Sequence, residues 1–241
     1  MNVCIITDNL YIFERFQQLA AKQPLGANFE FFYAPWNTDF KARFGDNGAI
    51  RPLRLKDQDE RFFSKYDIFI SLHCKQLFPD AMVNNHLCIN VHPGYNPYNR
   101  GWFPQVFGIM NHLPIGVTIH KMDTELDHGP ILWQKQLELH SDDTSKEVYE
   151  RILAAEMELM EAHLEDLLTG DFTLTPMSEE GNLNTKQDYE ALREIRMDKP
   201  ATYGEVIDFL RAMTHAPYRN AYFLDDDGKK VYVRIELEKE Q

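Results

Sequence analysis

The sequence lacks the glycine-rich turns that bind nucleotide phosphates. Neither the G-x-G-x-x-G pattern of dinucleotide-binding folds nor a P-loop occurs in the 241 residues. The turn after the first apolar run instead contains Thr7, Asp8 and Asn9. A dinucleotide-dependent oxidoreductase and a P-loop nucleotidase are therefore not expected.

Basic residues are also few for a protein that binds polyanions. Lysine and arginine number 25 against 38 aspartates and glutamates, which gives a formal net charge of −13. The phosphate backbone of nucleic acids and anionic membrane surfaces repel such a chain. We therefore predict no nucleic-acid partner and no membrane partner, and leave open a local basic pocket for a small anion.

Cysteine is scarce, and we expect no membrane-spanning segment and no cleavable leader, since the sequence shows neither a long apolar run nor a charged N-terminal region. Cys4, Cys74 and Cys88 are too few for a disulfide framework and indicate free thiols in a reducing compartment. The nearest metal-ligand candidates are His73 beside Cys74 and the spacing Cys88-x-x-x-His92, neither of which is a paired zinc motif. We predict no metal and a cytoplasmic location.

The hydrophobic pattern of the first half predicts an α/β fold. Apolar runs predict buried strands at residues 3–7, 29–33, 67–72 and 87–91. A helix ending near residue 22 follows the first strand, with Asp8 or Asn9 as its cap. Residues 35–65 are interpreted mostly as loop. This alternation favours a doubly wound, mostly parallel sheet, which binds ligands beyond the carboxyl ends of its strands.

The second half extends the sheet and ends in a small appendage. Periodicity predicts helices at 102–112 and 145–168, strands at 117–121 and 131–139, and in the tail a helix at 203–213 and strands at 220–223 and 230–237. We place a boundary near residue 170, so that the domains are 1–170 and 171–241. The second is a small α+β region that buries little core alone, and we expect it to pack on the main domain or on a second subunit.

An amide, an imidazole and a carboxylate form the candidate catalytic set. Asn90 and His92 are two residues apart on a predicted strand, so both side chains face the same side. Pro93 and Gly94 end that strand, and the loop containing Asp127 can bring a carboxylate to the imidazole. Asparagine donates to an oxyanion, histidine moves protons, and aspartate orients it, as acyl transfer to an amine requires. Alternatively, Asn90 and His92 only satisfy loop backbone groups.

These motifs resemble the formyltransferases that use 10-formyltetrahydrofolate. The resemblance is carried by Asn90-Val-His92-Pro, Arg100-Gly and Leu126-Asp127-x-Gly-Pro. The longer strings at 72–79, 92–107 and 218–223 resemble the sugar N-formyltransferases that act on dTDP-linked amino sugars. This resemblance implies a Rossmann-like formyltransferase catalytic domain at 1–170, followed by a tail at 171–241 that serves dimerisation and substrate binding.

The resemblance assigns roles to several residues. It implies that Asn90, His92 and Asp127 are catalytic, and that 10-formyltetrahydrofolate is the cosubstrate. The pterin of the folate is expected against the loop that contains Met122, Asp123, Leu126 and Asp127. Substrate-binding candidates, each of which can alternatively be a solvated or packing side chain, are Asn9, Lys75, Asn96, Arg100, Trp102, Asn220 and Tyr222.

The implied function is transfer of a formyl group to a dTDP-linked amino-dideoxy sugar. The glucose-configured 4-amino-4,6-dideoxy sugar is our expected acceptor, in O-antigen or other surface-polysaccharide synthesis, with a homodimer as the assembly. Three alternatives stay open: a glycinamide ribonucleotide formyltransferase, a methionyl-tRNA formyltransferase, and a non-catalytic nucleotide-sugar binding protein. The first usually has a glycine-rich loop after strand one, and the second a larger, basic C-terminal domain.

Overall fold

A seven-stranded sheet forms the centre of the computed structural model, which describes residues 1–45 and 48–240. The strands of the chain are β1 (Asn2–Thr7), β2 (Asn28–Tyr33), β3 (Arg51–Pro52), β4 (Ile68–Leu72), β5 (Leu87–His92), β6 (Arg100–Gly101), β7 (Ile115–Lys121), β8 (Ile131–Leu137), β9 (Leu183–Asn184), β10 (Tyr222–Leu224) and β11 (Lys230–Tyr232). The large sheet has the order β3-β2-β1-β4-β5-β7-β8, while β6 pairs with β9 and β10 with β11.

Eight α-helices accompany these strands in the described residues. They are α1 (Leu10–Lys22), α2 (Thr38–Phe44), α3 (Glu60–Phe63), α4 (Asp80–Asn85), α5 (Pro104–Asn111), α6 (Ser145–Thr169), α7 (Lys186–Leu192) and α8 (Tyr203–Met213), with a short 3-10 helix at Leu55–Asp57.

The first five strands of the large sheet are parallel, and β7 then runs antiparallel to β5. The strand order reverses beside β1, since β2 and β3 lie on one side of it and β4 and β5 on the other. This confirms the predicted doubly wound, mostly parallel sheet. Ile5, Ile6, Phe69 and Ile70 are fully buried in the central strands, which explains why these strands are continuous apolar runs in the sequence.

A buried carboxylate ties the carboxyl ends of three parallel strands together. Asp8, which follows β1, accepts hydrogen bonds from the backbone nitrogen of Ala34 at 3.0 Å and from the Asn37 amide at 2.9 Å. Its other oxygen accepts the backbone N–H of Lys75 at 2.8 Å. These three donors satisfy a charge that is only 8% exposed. Asp8 is thus explained by structure rather than by a ligand.

Local signals located the ends of several helices. Asn9 caps α1 by accepting the Ile12 N–H at 3.1 Å, so the cap is Asn9 and not Asp8. The predicted α8 matches the structure at both ends, and its Thr202–Glu205 capping box explains this agreement. Helix α6 begins at Ser145 as predicted, and there the Thr144 N–H donates to Glu147 at 3.0 Å, which is one half of a capping box.

Two predictions on secondary structure were wrong in part. The segment 35–65 contains α2, α3 and β3 rather than mostly loop, and residues 46–47 of it lie outside the described residues. Only Phe40 is buried in α2, so its amphipathic period is too weak to see. The last strand ends at Tyr232 and not near residue 237. Its partner β10 is three residues long, so a longer strand would have no backbone to pair with.

The chain divides into two interleaved units. Unit 1 comprises residues 1–92, 118–134 and 155–178, and unit 2 comprises 93–117, 135–154 and 179–241. These units differ from the predicted division into 1–170 and 171–241, because each unit consists of three separate segments of the chain. Within unit 2, α5 packs against α8, and β6 pairs in parallel with β9. Among the described residues, none of the helices is both long and apolar enough to span a bilayer, and no metal-binding group of three His, Cys, Asp or Glu side chains is found.

The three thiols are predicted to resist alkylation in the native protein. Cys4 and Cys88 are fully buried and Cys74 partly so. Burial raises the pKa of Cys88 to about 12 and also raises the pKa values of Cys4 and Cys74 well above that of a free thiol. Since the thiolate is the nucleophile, iodoacetamide at pH 8 should leave Cys4 and Cys88 unmodified, and all three should react in urea. Mass spectrometry measures the modification of each cysteine. The control is Cys74→Ser, which lacks the least buried of the three thiols. Rapid native labelling of Cys88 would contradict the buried position.

Candidate active site

The structure brings Asn90, His92 and Asp127 together in unit 1. The Asn90 amide nitrogen donates to Asp127 Oδ1 at 2.8 Å. The other carboxylate oxygen, Oδ2, lies 3.4 Å from Nδ1 of His92. One aspartate thus contacts both other members of the predicted set. His92 is 3% exposed and Asp127 is 8% exposed, so these contacts operate largely away from water, where electrostatic interactions are stronger.

Strand β5 positions the first two residues. It pairs with β4 on one side and β7 on the other, and Asn90 and His92 lie at its carboxyl end. Their spacing of two places both side chains on one face, as the sequence indicated. Asn90 is half-buried, whereas Val91 between them is buried on the opposite face.

A tightly closed loop positions Asp127. At its base, the Lys121 N–H donates to the Pro130 carbonyl at 2.9 Å, and the Met122 N–H donates to the Cys88 carbonyl at 2.7 Å. Asp127 itself adopts a left-handed backbone with φ of 50°, a conformation that costs a non-glycine residue energy and needs support from its surroundings. A side chain at Gly129 would meet the Lys121 carbonyl oxygen, so this close approach requires glycine.

A second contact spans the same loop. Asp123 Oδ2 lies 2.7 Å from His128 Nδ1, and Asp123 Oδ1 accepts the Glu125 N–H at 2.9 Å. Both side chains of the pair are 38% exposed, so the pair contributes at most about 1 kcal/mol. It supplements the backbone contacts at the loop base, which fix the position of Asp127.

The partners of His92 define its chemistry. Because Nδ1 faces a carboxylate, the neutral imidazole carries its proton on Nδ1 and its lone pair on Nε2. Asp127 also stabilises the imidazolium that forms when Nε2 takes up a proton. The Asn90 amide supplies a polarised N–H beside this base. The set can therefore stabilise an oxyanion and accept a proton from an attacking amine.

Sequence reasoning missed His120. This residue is 2% exposed and lies opposite Asn90 in the β5–β7 ladder. Its Nε2 is 3.2 Å from the Asn90 amide nitrogen and 3.7 Å from Asp127 Oδ1. A histidine within the apolar strand 117–121 was the available signal, but only the register between the two strands shows which residue it faces.

The predicted folate loop is irregular between residues 122 and 130. Met122 packs against the hydrophobic core, so its side chain is directed inward. Leu126 is 42% exposed next to the buried Asp127 carboxylate. This loop presents an apolar side chain together with backbone groups that belong to no helix or strand. Both features suit the edge of a flat, polar heterocycle.

Asn96, Arg100 and Trp102 lie in one loop region of unit 2. This loop is held by β9, since the Arg100 N–H donates to the Asn182 carbonyl and the Trp102 N–H to the Asn184 carbonyl. Asn96 is 1% exposed and Arg100 4% exposed. Trp102 is 44% exposed, with Lys186 5.7 Å from its ring centre, which favours a surface position over a core anchor.

The Arg100 guanidinium is a buried cation without a carboxylate. Among the described residues no ion pair to Arg100 is formed, and its Nε has no hydrogen-bond partner. Buried charges in proteins are normally paired because their desolvation costs several kcal/mol. Arg100 therefore stays a predicted anion-binding residue, and its burial without an ion pair among the described residues favours that prediction.

Three of the other four predicted substrate residues have structural partners for their side chains. Asn220 donates to the Met213 carbonyl at 3.0 Å at the end of α8, and Lys230 lies 4.0 Å from the ring centre of Tyr222. In unit 1, Asn9 caps α1. Lys75 is exposed, and its side chain extends from the loop after β4. Lys75 thus carries the only charge among these four residues, and the roles of all four stay predictions.

Comparison with known proteins identifies two regions. Residues 58–164 match the family model described as formyl transferase. Residues 188–239 match the model described as N-formyltransferase dimerization C-terminal domain. The first region contains Asn90, His92 and Asp127, and the second contains α8 and the β10–β11 hairpin.

Full-length relatives are also found. A dTDP-4-amino-4,6-dideoxyglucose formyltransferase of Mycobacterium tuberculosis is 39% identical over 241 residues, covering 100% of this chain and 98% of the relative. A 4-N formyltransferase from Francisella tularensis has a TM-score of 0.95 at 44% identity, covering 99% of this chain and 98% of that one. A sugar N-formyltransferase from a Shewanella species has a TM-score of 0.92 at 39% identity, covering 100% and 99%.

Substituting alanine at Gly129 should destabilise the loop that carries Asp127. An added Cβ would overlap the Lys121 carbonyl oxygen, so the loop must move, at a cost of about 1–3 kcal/mol. Urea unfolding measures this. Gly204→Ala is the matched control, since its Cβ would meet nothing closer than Thr202 Oγ1 at 3.9 Å. Equal stability of the two variants would show that the loop does not depend on this contact.

Proposed function

Because the chain belongs to the formyl transferase family, we propose that it transfers the formyl group of 10-formyltetrahydrofolate to the amine of a dTDP-linked amino sugar. The proposed acceptor is dTDP-4-amino-4,6-dideoxyglucose, the sugar named in the M. tuberculosis relative. The contact of the Asp127 carboxylate with both Asn90 and His92 carries the proposal. It joins an oxyanion donor and a proton acceptor in one buried set.

Asn90 is proposed to bind the formyl oxygen. The neutral sugar amine attacks the formyl carbon, and negative charge develops on that oxygen as the carbonyl bond opens. An N–H already oriented toward this charge lowers the barrier, typically by about 3 kcal/mol per donor. The bond from Asn90 to Asp127 keeps the amide nitrogen directed toward the site.

His92 is proposed to accept the proton that the amine loses on attack. Its lone pair is on Nε2 because Asp127 faces Nδ1. The resulting imidazolium is stabilised by the same carboxylate. The proton can then pass to the departing folate nitrogen, which leaves His92 neutral at the end of the cycle. In the net reaction the formyl group moves from the folate to the amine, and one proton moves from the amine to the folate.

The folate supplies the activated formyl group, and the loop at 122–128 is proposed to hold its pterin. Asp127 lies in this loop, so the residue that orients His92 also lies in the segment that binds the donor. The apolar side chain of Leu126 and the backbone groups of the loop fit a pterin edge.

Arg100 is proposed to bind a phosphate of the sugar nucleotide. Its buried guanidinium has no counterion among the described residues, and a diphosphate would supply one. Lys75, Asn9, Asn96, Trp102, Asn220 and Tyr222 are proposed as further contacts. The product fits O-antigen or another surface polysaccharide, and we place this step in the cytoplasm.

A homodimer is proposed through the tail. The matching dimerization model covers residues 188–239. On α8, Tyr203 is 90% exposed, and Val206 and Ile207 are each more than 40% exposed. Such a cluster of exposed apolar side chains on one helix is typical of an interface.

Mass spectrometry tests the reaction. With 10-formyltetrahydrofolate, a panel of dTDP-3-amino and dTDP-4-amino sugars should include one that gains a single formyl group, and we expect the 4-amino-4,6-dideoxyglucose to react fastest. Asn90→Ala should lower kcat about 10²–10³-fold, while Asn84→Ala on the exposed face of α4 should not. Formylation of none of the sugars would refute the proposal.

Removing the Arg100 charge should weaken nucleotide binding without weakening the fold. Arg100→Met keeps the buried aliphatic volume, so the free energy of unfolding should stay equal or rise. The affinity for dTDP, measured by calorimetry, should fall about 10- to 100-fold, as for the loss of a charged hydrogen bond. Arg196→Met, an exposed arginine in the same unit, is the control. Unchanged dTDP affinity in Arg100→Met would exclude Arg100 from the site.

A further inference from the structure

His120 faces Asn90 from the neighbouring strand. In the antiparallel ladder of β5 and β7 the two residues are directly opposite, so their side chains share one face of the sheet. His120 is almost fully buried, and its ring lies 6.5 Å, centre to centre, from that of His92. A polar ring buried at this position needs partners for both nitrogens.

The partners of His120 determine where its proton lies. Nδ1 is 3.1 Å from the Lys121 carbonyl oxygen. A carbonyl only accepts hydrogen bonds, so Nδ1 carries the hydrogen and donates it. In the neutral ring Nε2 then has a lone pair, and this atom is 3.2 Å from the Asn90 amide nitrogen. His120 is therefore an acceptor for Asn90.

Both amide hydrogens of Asn90 are consequently assigned. One is donated to Asp127 Oδ1 at 2.8 Å and the other to His120 Nε2 at 3.2 Å. The reverse orientation would place the amide oxygen against a carboxylate and against a lone pair, both of which repel it. His120 and Asp127 together fix the side-chain orientation that catalysis needs.

We propose that His120 is a positioning residue that holds the second N–H of Asn90 and yields it to the formyl oxygen. This inference rests on the proposed formyl transfer. The bond to Asp127 is shorter and charge-assisted, so the bond to neutral His120 is the weaker of the two and the one that is given up. The exchange replaces one hydrogen bond with another and moves no proton.

Two substitutions separate the acceptor from the shape of the ring. His120→Phe keeps an aromatic ring without the Nε2 acceptor, and kcat should fall about tenfold with KM for both substrates unchanged. In His120→Gln, the side-chain oxygen can occupy the place of Nε2, and it should regain most of the lost kcat. If phenylalanine retains full kcat, or glutamine recovers none of the loss, the positioning role is wrong.

A double-mutant cycle tests whether His120 acts through Asn90. In the Asn90→Ala background, His120→Phe should cause no further loss of kcat, because no amide remains to be held. If the double variant loses kcat by the product of the two single-variant factors, His120 acts independently of Asn90 and the proposal is overturned.

A spectroscopic measurement makes the test independent of activity. In protein labelled with ¹⁵N-histidine, the His120 signal, identified by its absence in His120→Gln, should show a protonated Nδ1 and an unprotonated Nε2. The opposite tautomer would overturn the inference even if the enzyme is active. Absence of formyl transfer by the wild-type protein would instead refute the proposed function and leave the tautomer result standing.

Discussion

The hydrogen-bonded register between β5 and β7 sets Asn90 opposite His120 and His92 opposite Thr118. Since β7 is antiparallel to β5 within an otherwise parallel region of the sheet, its end lies back toward the start of β5, and the Met122 N–H bonds to the Cys88 carbonyl. The loop that follows returns Asp127 to the two catalytic candidates. A slip of one residue would turn His120 to the opposite face. The site therefore depends on backbone pairing before it depends on any side-chain contact.

Two buried charges in this fold, Asp8 and Arg100, differ in the number of partners that the chain gives them. Asp8 accepts three hydrogen bonds from its own chain, and it is complete without a ligand. Arg100 is equally buried, but it forms no ion pair within the described residues. Sequence position does not distinguish the two residues, since Asp8 directly follows β1 and Arg100 begins β6. The two residues are distinguished by the hydrogen bonds and ion pairs that each side chain forms with the described residues.

The predictable part of the fold is local. Continuous apolar runs located the central strands, apolar periodicity located α8, and a spacing of two placed Asn90 and His92 on one face. The unpredicted part arises from distant pairing or weak periodicity. The two-residue strands β6 and β9 exist only because they meet each other. His120 belongs to the same class, since its partner is 30 residues away in the sequence.

The three segments of unit 1 alternate along the chain with the three segments of unit 2. Asn90, His92 and Asp127 lie in unit 1, whereas Arg100 and the other loop and tail candidates lie in unit 2. No single crossover between two related genes can exchange one unit and leave the other whole. A recombinant made at one junction would combine partial units from two parents. In this family, acceptor preference is therefore expected to diverge by point substitutions. A chimaera intended to change the acceptor preference needs several matched junctions between the two parent sequences.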